Sequence, residues 1–303
     1  MMNKITLLLL VWSLISMVTV YFLLGSKAVA NTTFWSTDIV DTTLTEHEKG
    51  PNWSFYVYAS VYTWGDDLPK YDFEHFFCHG FLRFYISRMD LYDIQLFLYV
   101  NPDKFQFITN ELYKCEHFSH SLPIKVVNSG QIALNRSQVR KGTNNKTLHI
   151  LMDPDDIPPS DYFECVMRQM DYHDLTKHAY ISLDNGSFLY PDDGSYYLFP
   201  FNEPKHSSIS QTLYNPPNSD YFIHPFDTYH ENFGKKMKED TIDFDEYHPQ
   251  CNRFIYVKRK CSFTRQRGKV HAKRMGDKID IEEINREYDT TINYDFDKKF
   301  TCK

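Results

Sequence analysis

The sequence predicts an α/β domain built on a mostly parallel sheet with helices on both faces, preceded by a single N-terminal transmembrane helix. Three observations carry this prediction. Strand-like and helix-like stretches alternate from Ser54 onward, the order that gives parallel strands joined by covering helices. Hydrophobic residues make up 42% and aromatic residues 17% of the 303-residue chain, ample material for a large core. One uncharged run of 20 residues, Ile5–Leu24, stands apart at the N-terminus.

That run comes first. Twenty helical residues span roughly 30 Å, about one hydrocarbon core, and Lys4 flanks it on the N-terminal side. A positive flank stays cytosolic, so the rest of the chain would face a lumen as a type II protein. A cleaved signal usually has a shorter apolar core, yet Ala28–Ala30 reads "AVA" and resembles a cleavage site. The division expected is therefore an anchor or signal peptide over 1–24, a polar Thr-rich stem over 25–52 and one domain over 53–303. The rest of the chain is too polar for further spans, with a mean hydropathy of -0.50.

The domain elements follow in order. "SFYVYASVYTW" (Ser54–Trp64) is aromatic and β-branched, a strand bounded by turn residues. Glu74–Met89 places Phe77, Phe81, Phe84 and Tyr85 at helical spacing. "DIQLFLYV" is a second strand, "KFQFITNELYKC" a second helix and "LPIKVV" a third strand. Residues 135–142 read as a helix and "TLHILM" as a fourth strand. Beyond it, Asp161 with Glu164 three residues on looks like a capping box, and Phe163, Val166, Met167 and Met170 follow one helical face.

Six cysteines (Cys78, Cys115, Cys165, Cys251, Cys261 and Cys302) are an even set suited to an oxidising lumen. Six permit 15 connectivities. Cys251–Cys261 is the preferred pair because the two flank a strand-like stretch, while Cys78 and Cys165 lie on apolar helical faces and also suit buried thiols. Five glycosylation sequons, at Asn31, Asn52, Asn135, Asn145 and Asn185, agree with secretion. A formal charge of -7 does not favour general nucleic-acid binding.

The chemistry concentrates where the fourth strand ends, in "MDPDDIPPSDY". Asp153, Asp155 and Asp156 would repel one another unless a cation neutralised them. Hard dications such as Mg²⁺ or Mn²⁺ accept one or two carboxylates and keep positions for phosphate oxygens and water. In open α/β sheets the ends of the strands are where ligands bind. A plain Asp-Pro turn is the competing explanation for an isolated D-x-D pair.

The order "NRSQVRKGTNNKTLHILMDPDDIPPSDYFE" resembles the middle of a GT-A glycosyltransferase: a basic helix, a strand delivering D-x-D, then a new helix. Together with "ISLDNGSFLY" (Ile181–Tyr190), it is similar in motif order to a bacterial rhamnosyltransferase group, over roughly residues 54–230. Pro154 inside the acidic run and the membrane segment depart from that group and leave the donor sugar open. The resemblance implies a GT-A-like, Rossmann-like domain. It also implies a Mn²⁺- or Mg²⁺-dependent transfer from a nucleotide-sugar donor to a glycan, glycoprotein or lipid-linked acceptor, in a Golgi or other secretory-pathway membrane. Asp153 and Asp155 would hold the metal, and Asp156 would touch the donor sugar or support its partners.

Arg136, Arg140 and Lys141 on the preceding helix would then contact the nucleotide, although a solvated helix face explains them equally. Arg253–Arg274 holds nine Lys or Arg and no acid. In the resemblance such a late segment folds over the diphosphate, with His271 reaching the metal and Lys269 and Lys273 the phosphates. An inverting enzyme needs a base near the acceptor hydroxyl. Asp184 and Asp227 are candidates, as are Asp192, Asp193 and Glu231. A non-catalytic binding protein on a degenerate scaffold of the same kind is the rival from another class. A metal-dependent phosphoesterase would need several His and Asp ligands at metal spacing; there is no H-x-H, and the lone D-x-H at Asp171–His173 does not meet that need.

Overall fold

The computed structural model describes residues 53–61, 73–142, 146–154, 156–192, 194–202, 210–227, 233–257 and 276–293. All of them belong to one compact unit, Lys49–Lys303. Among the described residues no helix is long and apolar enough to cross a membrane. The expected anchor and stem lie outside the described residues.

The main sheet has seven strands in the order β3-β2-β1-β4-β8-β5-β9. Its first four are β1 (Ser54–Val61), β2 (Asp93–Val100), β3 (Ile124–Asn128) and β4 (Thr147–Met152), all mutually parallel. β8 (Ser210–Tyr214) runs antiparallel to both of its neighbours, β4 and β5 (His178–Ser182). β9 (Phe244–Tyr247) then pairs parallel with β5, so β8 alone is reversed. The mostly parallel sheet expected from the alternation is present.

Helices cover both faces. A helix α1 winds with π geometry over Phe73–Leu82 and α geometry over Arg83–Ile86. With α2 (Phe105–Leu112) and α4 (Tyr162–Met170) it buries Phe81, Phe84, Ile108, Phe163 and Val166 against one side of the sheet. The other side carries Tyr58, Phe97, Tyr99 and Leu151, covered by Val139 of α3 (Ile132–Gly142) and by Phe233 and Met237 of α5 (Phe233–Glu239). β4 is buried along its whole length, as its unbroken apolar run requires.

The structure adds elements that the sequence reading did not place. The stretch Ile181–Tyr190 holds parts of two strands. β5 stops at Ser182, and β6 (Asn185–Asp192) enters a second, four-stranded sheet ordered β10-β6-β7-β11. Its other members are β7 (Ser195–Asn202), β10 (Phe254–Val257) and β11 (Asp277–Ile279). Gly194, at φ +74°, supplies the left-handed turn between β6 and β7. Gly276, at φ +78°, enters β11 so close to β7 that a Cβ would lie 2.1 Å from the Leu198 carbonyl oxygen. A final helix, α6 (Ile281–Tyr288), buries Ile284 and Tyr288.

The capping box does not form. Asp161 makes no side-chain cap on α4; its carboxylate instead accepts from the backbone N–H of Asn252 at 2.8 Å, while Glu164 accepts from Tyr92. The preferred Cys251–Cys261 pair is replaced by Cys165–Cys251, and a second bridge joins Cys78 to Cys115. Neither Cys78 nor Cys165 is a free thiol. Helix α4 brings Cys165 to the turn before β10, a long-range approach that spacing along the chain does not reveal.

Candidate functional site

The chain runs outward through β1, β2 and β3, then crosses back so that β4 lies on the other side of β1. Neighbouring β1 and β4 thus lead in opposite directions beyond their carboxyl ends, which is the switch point where open α/β sheets leave a crevice. Asp153 follows directly on Met152, which pairs with Ala59. Strand alternation turns Asp153 to the same face as Tyr58 and Leu151. It is partly buried. Asp155 lies outside the described residues.

Asp156 is fully buried. Its Oδ1 accepts from the backbone N–H of Val257 at 2.9 Å, and Ile157 and Ile255 exchange a backbone pair beside it at 2.9 and 2.8 Å. Asp156 therefore ties the end of β4 to β10 and so to the second sheet.

The cover on this face comes from α3 and the segment that follows β8. Arg136 Nη1 donates to Asp227 Oδ1 at 2.5 Å, and Nη2 donates to the Phe222 carbonyl at 2.9 Å. Asp227 Oδ2 also accepts from the His224 backbone N–H at 2.9 Å. Arg140 donates to the carbonyls of Ser219 and Asp220, both at 3.2 Å. Two arginines read from sequence as nucleotide contacts thus hold the 219–227 segment onto α3. The guanidinium of Arg136 keeps some access to solvent, its side chain being 43% exposed against 16% for Asp227.

Under this cover lies an aromatic and histidine layer that sequence reading missed. Tyr58 stacks on Phe97 at 5.1 Å and shares a 2.9 Å hydrogen bond with His149 Nδ1. His224 packs at 5.0 Å from Tyr58, and Phe226 at 4.6 Å from Tyr99. The Phe226 backbone N–H donates to His224 Nδ1 at 3.2 Å, so the ring is neutral with its proton on Nε2. Burial pushes His149 down to about 3, helped by His224. Burial, and then the Arg136 charge, pushes His224 down to about 3. Asn135 is buried in α3 and accepts from the Tyr99 hydroxyl. These residues form a buried layer between the sheet and its cover.

Farther along the same edge Asp184 follows β5. Its Oδ2 lies 3.0 Å from His248 Nδ1, and His248 Nε2 lies 3.7 Å from Glu246 Oε1. His248 was not among the sequence candidates. Its one signal is position: it follows β9 directly, at a strand's carboxyl end. Asp192 ends β6 in the second sheet. Asp193, Glu231, Lys269, His271 and Lys273 lie outside the described residues. Among the described residues no group of three or more His, Cys, Asp or Glu is arranged to hold a metal.

No protein-family model and no curated protein matches this chain. Solved structures match it at low similarity. One is a 4-diphosphocytidyl-2C-methyl-D-erythritol synthase from Anaerococcus prevotii, 13% identical with a TM-score of 0.36 over 65% of this chain and 88% of that one. Another is the 2-C-methyl-D-erythritol 4-phosphate cytidylyltransferase of Francisella tularensis, 13% identical with a TM-score of 0.33 over 65% and 91%. A mannose-1-phosphate geranyltransferase from Thermus thermophilus is 11% identical with a TM-score of 0.31 over 68% and 74%. Likeness at this level assigns no activity.

Proposed function

We propose that the protein is a metal-dependent glycosyltransferase that takes a sugar from a nucleotide-sugar donor and passes it to a glycan, glycoprotein or lipid-linked hydroxyl. One observation carries this reading: the acidic stretch leaves β4 at the switch point between β1 and β4, where a diphosphate would enter the crevice. Hard carboxylate donors suit Mn²⁺ or Mg²⁺, and Asp153 and Asp155 would hold the ion. Such an ion, when bound, neutralises charge on the departing diphosphate. The two disulfides support a domain that matures in an oxidising secretory compartment, behind the N-terminal anchor expected from sequence.

A thermal-shift panel of nucleoside diphosphates and nucleotide-sugars, with and without Mn²⁺, tests the proposal. A ligand that binds only the folded state raises its apparent stability. The reading requires a shift that depends on nucleotide and Mn²⁺ together, and a panel that moves nothing rejects it. The rival reading, a binding protein without turnover, draws on the engagement of Arg136, Arg140 and Asp156 in internal hydrogen bonds. Nucleotide binding without release of nucleoside diphosphate would favour that rival.

A further inference from the structure

We infer, on the sugar-transfer reading above, that Asp184 and His248 form the proton-accepting dyad for the acceptor hydroxyl, with His248 Nε2 as the base. Asp184 Oδ2 stands 3.0 Å from His248 Nδ1, with side chains 28% and 44% exposed. The imidazole is the more exposed partner, and its Nε2 faces Glu246 Oε1 at 3.7 Å. Asp184 Oδ1 is buried with no hydrogen-bond partner among the described residues. A carboxylate on Nδ1–H fixes the tautomer that leaves the Nε2 lone pair available.

Among the described residues two carboxylates face the imidazole. Asp184 comes from the end of β5 and Glu246 from β9, its Oε1 3.7 Å from Nε2. Lys238 of α5 reaches the far oxygen of Glu246 at 3.9 Å. An imidazolium formed during reaction would sit between two carboxylates, one of them partly balanced by a lysine.

The sheet sets the distance to the acidic stretch. Leu151 of β4 and Ser182 of β5 both pair with Gln211 of β8, so they share one row. Asp153 and Asp184 each lie two residues beyond that row. Two strand spacings separate β4 from β5, roughly 10 Å. His248 follows β9, one strand beyond β5, and its ring reaches back to Asp184, so a diphosphate at Asp153 and an acceptor hydroxyl at His248 would lie at the carboxyl ends of the same parallel strands. In the transfer the acceptor oxygen forms a bond to the anomeric carbon and its proton passes to Nε2. The bond from that carbon to the diphosphate oxygen breaks, and its electron pair leaves with the nucleoside diphosphate. Direct displacement of this kind inverts the anomeric centre.

The test uses the full chain, its His248→Ala and His248→Gln variants, and Asp184→Asn as the positioning variant. Nucleoside diphosphate release is followed over a nucleotide-sugar panel, beside the Mn²⁺-dependent thermal shift. The dyad requires both His248 variants to keep the shift and the donor KM while kcat falls about a hundredfold or more, and added imidazole to restore turnover to His248→Ala. Asp184→Asn should lower kcat with the same unchanged KM. Wild-type kcat in the His248 variants overturns the dyad and leaves the sugar-transfer reading standing. A His248 variant that loses the nucleotide shift as well marks a structural role and also overturns the dyad. Binding without turnover in the wild type overturns the dyad in favour of a binding protein. Neither binding nor turnover in the wild type overturns both.

Discussion

Arg136 and Asp227, 91 residues apart in sequence, meet in a 2.5 Å ion pair that fastens the segment after β8 onto helix α3. Both were candidate site residues, and the structure joins them to each other. Arg136→Ala also removes a hydrogen bond to the Phe222 carbonyl. The partial exposure of the arginine discounts the pair, so the expected loss is about 1–2 kcal/mol. Urea unfolding measures it; a change within a few tenths of a kcal/mol would show that the segment is held without Arg136.

The proposed function divides the acidic stretch into two expected behaviours. Asp153→Asn and Asp155→Asn should each abolish the Mn²⁺-dependent nucleotide shift, because each removes one anionic oxygen ligand while keeping shape. Asp156→Ala should instead destabilise the fold by about 1–3 kcal/mol, because it strands the buried Val257 N–H. Melting curves with and without Mn²⁺ and nucleotide separate the two. Equal destabilisation by all three would make the whole stretch a structural turn.

Non-reducing peptide mapping should recover Cys78 joined to Cys115 and Cys165 joined to Cys251. Replacing Cys165 and Cys251 together by Ser is expected to cost about 2–5 kcal/mol. A recovered Cys251–Cys261 peptide would contradict this arrangement.

Two buried neutral histidines give stability a defined pH dependence. His149 and His224 are held down to about 3 when folded, against an ordinary value of 6.5. The unfolded chain therefore binds more protons below pH 6.5, and stability falls as the pH drops from there towards 3. The slope contributed by each reaches at most about 1.4 kcal/mol per pH unit. Chemical denaturation at pH 7.5, 6 and 5 measures the fall, and His224→Gln should flatten it. An identical slope in the variant would rule His224 out as a source.

β1, β2 and β4 were legible because each is an apolar, β-branched and aromatic run bounded by turn residues, and α2 and α4 because their apolar spacing is helical. β8 was not, since "SQTLY" is short and half polar; it is held by hydrogen bonds to β4 and β5 that no local pattern shows. The hairpin of β6 and β7 was not read, although the Asp193-Gly194 pair between them was a readable turn signal. The acidic stretch was found by its composition. His248 was not, because its partner Asp184 meets it only once β5 and β9 lie side by side.

The reversed strand also sets a timetable. β1 to β4 emerge from the ribosome in an order that lets them pair at once, and Cys78–Cys115 closes within that first half. β5 has no such freedom: its partners are β8 and β9, both made later. Until β8 arrives, the outer edge of β4 stays open, and an open apolar edge invites pairing with other chains. Cys165–Cys251 spans this interval and can close only after β8 has been made. Nascent chains stalled before Ser210 should therefore protect β1–β4 from protease while β5 is still cut, and release past Tyr247 should protect both. Simultaneous protection of β5 in the shorter chain would refute this order. The topology thus predicts assembly in two acts, with the strand that delivers the acidic stretch as the seam between them.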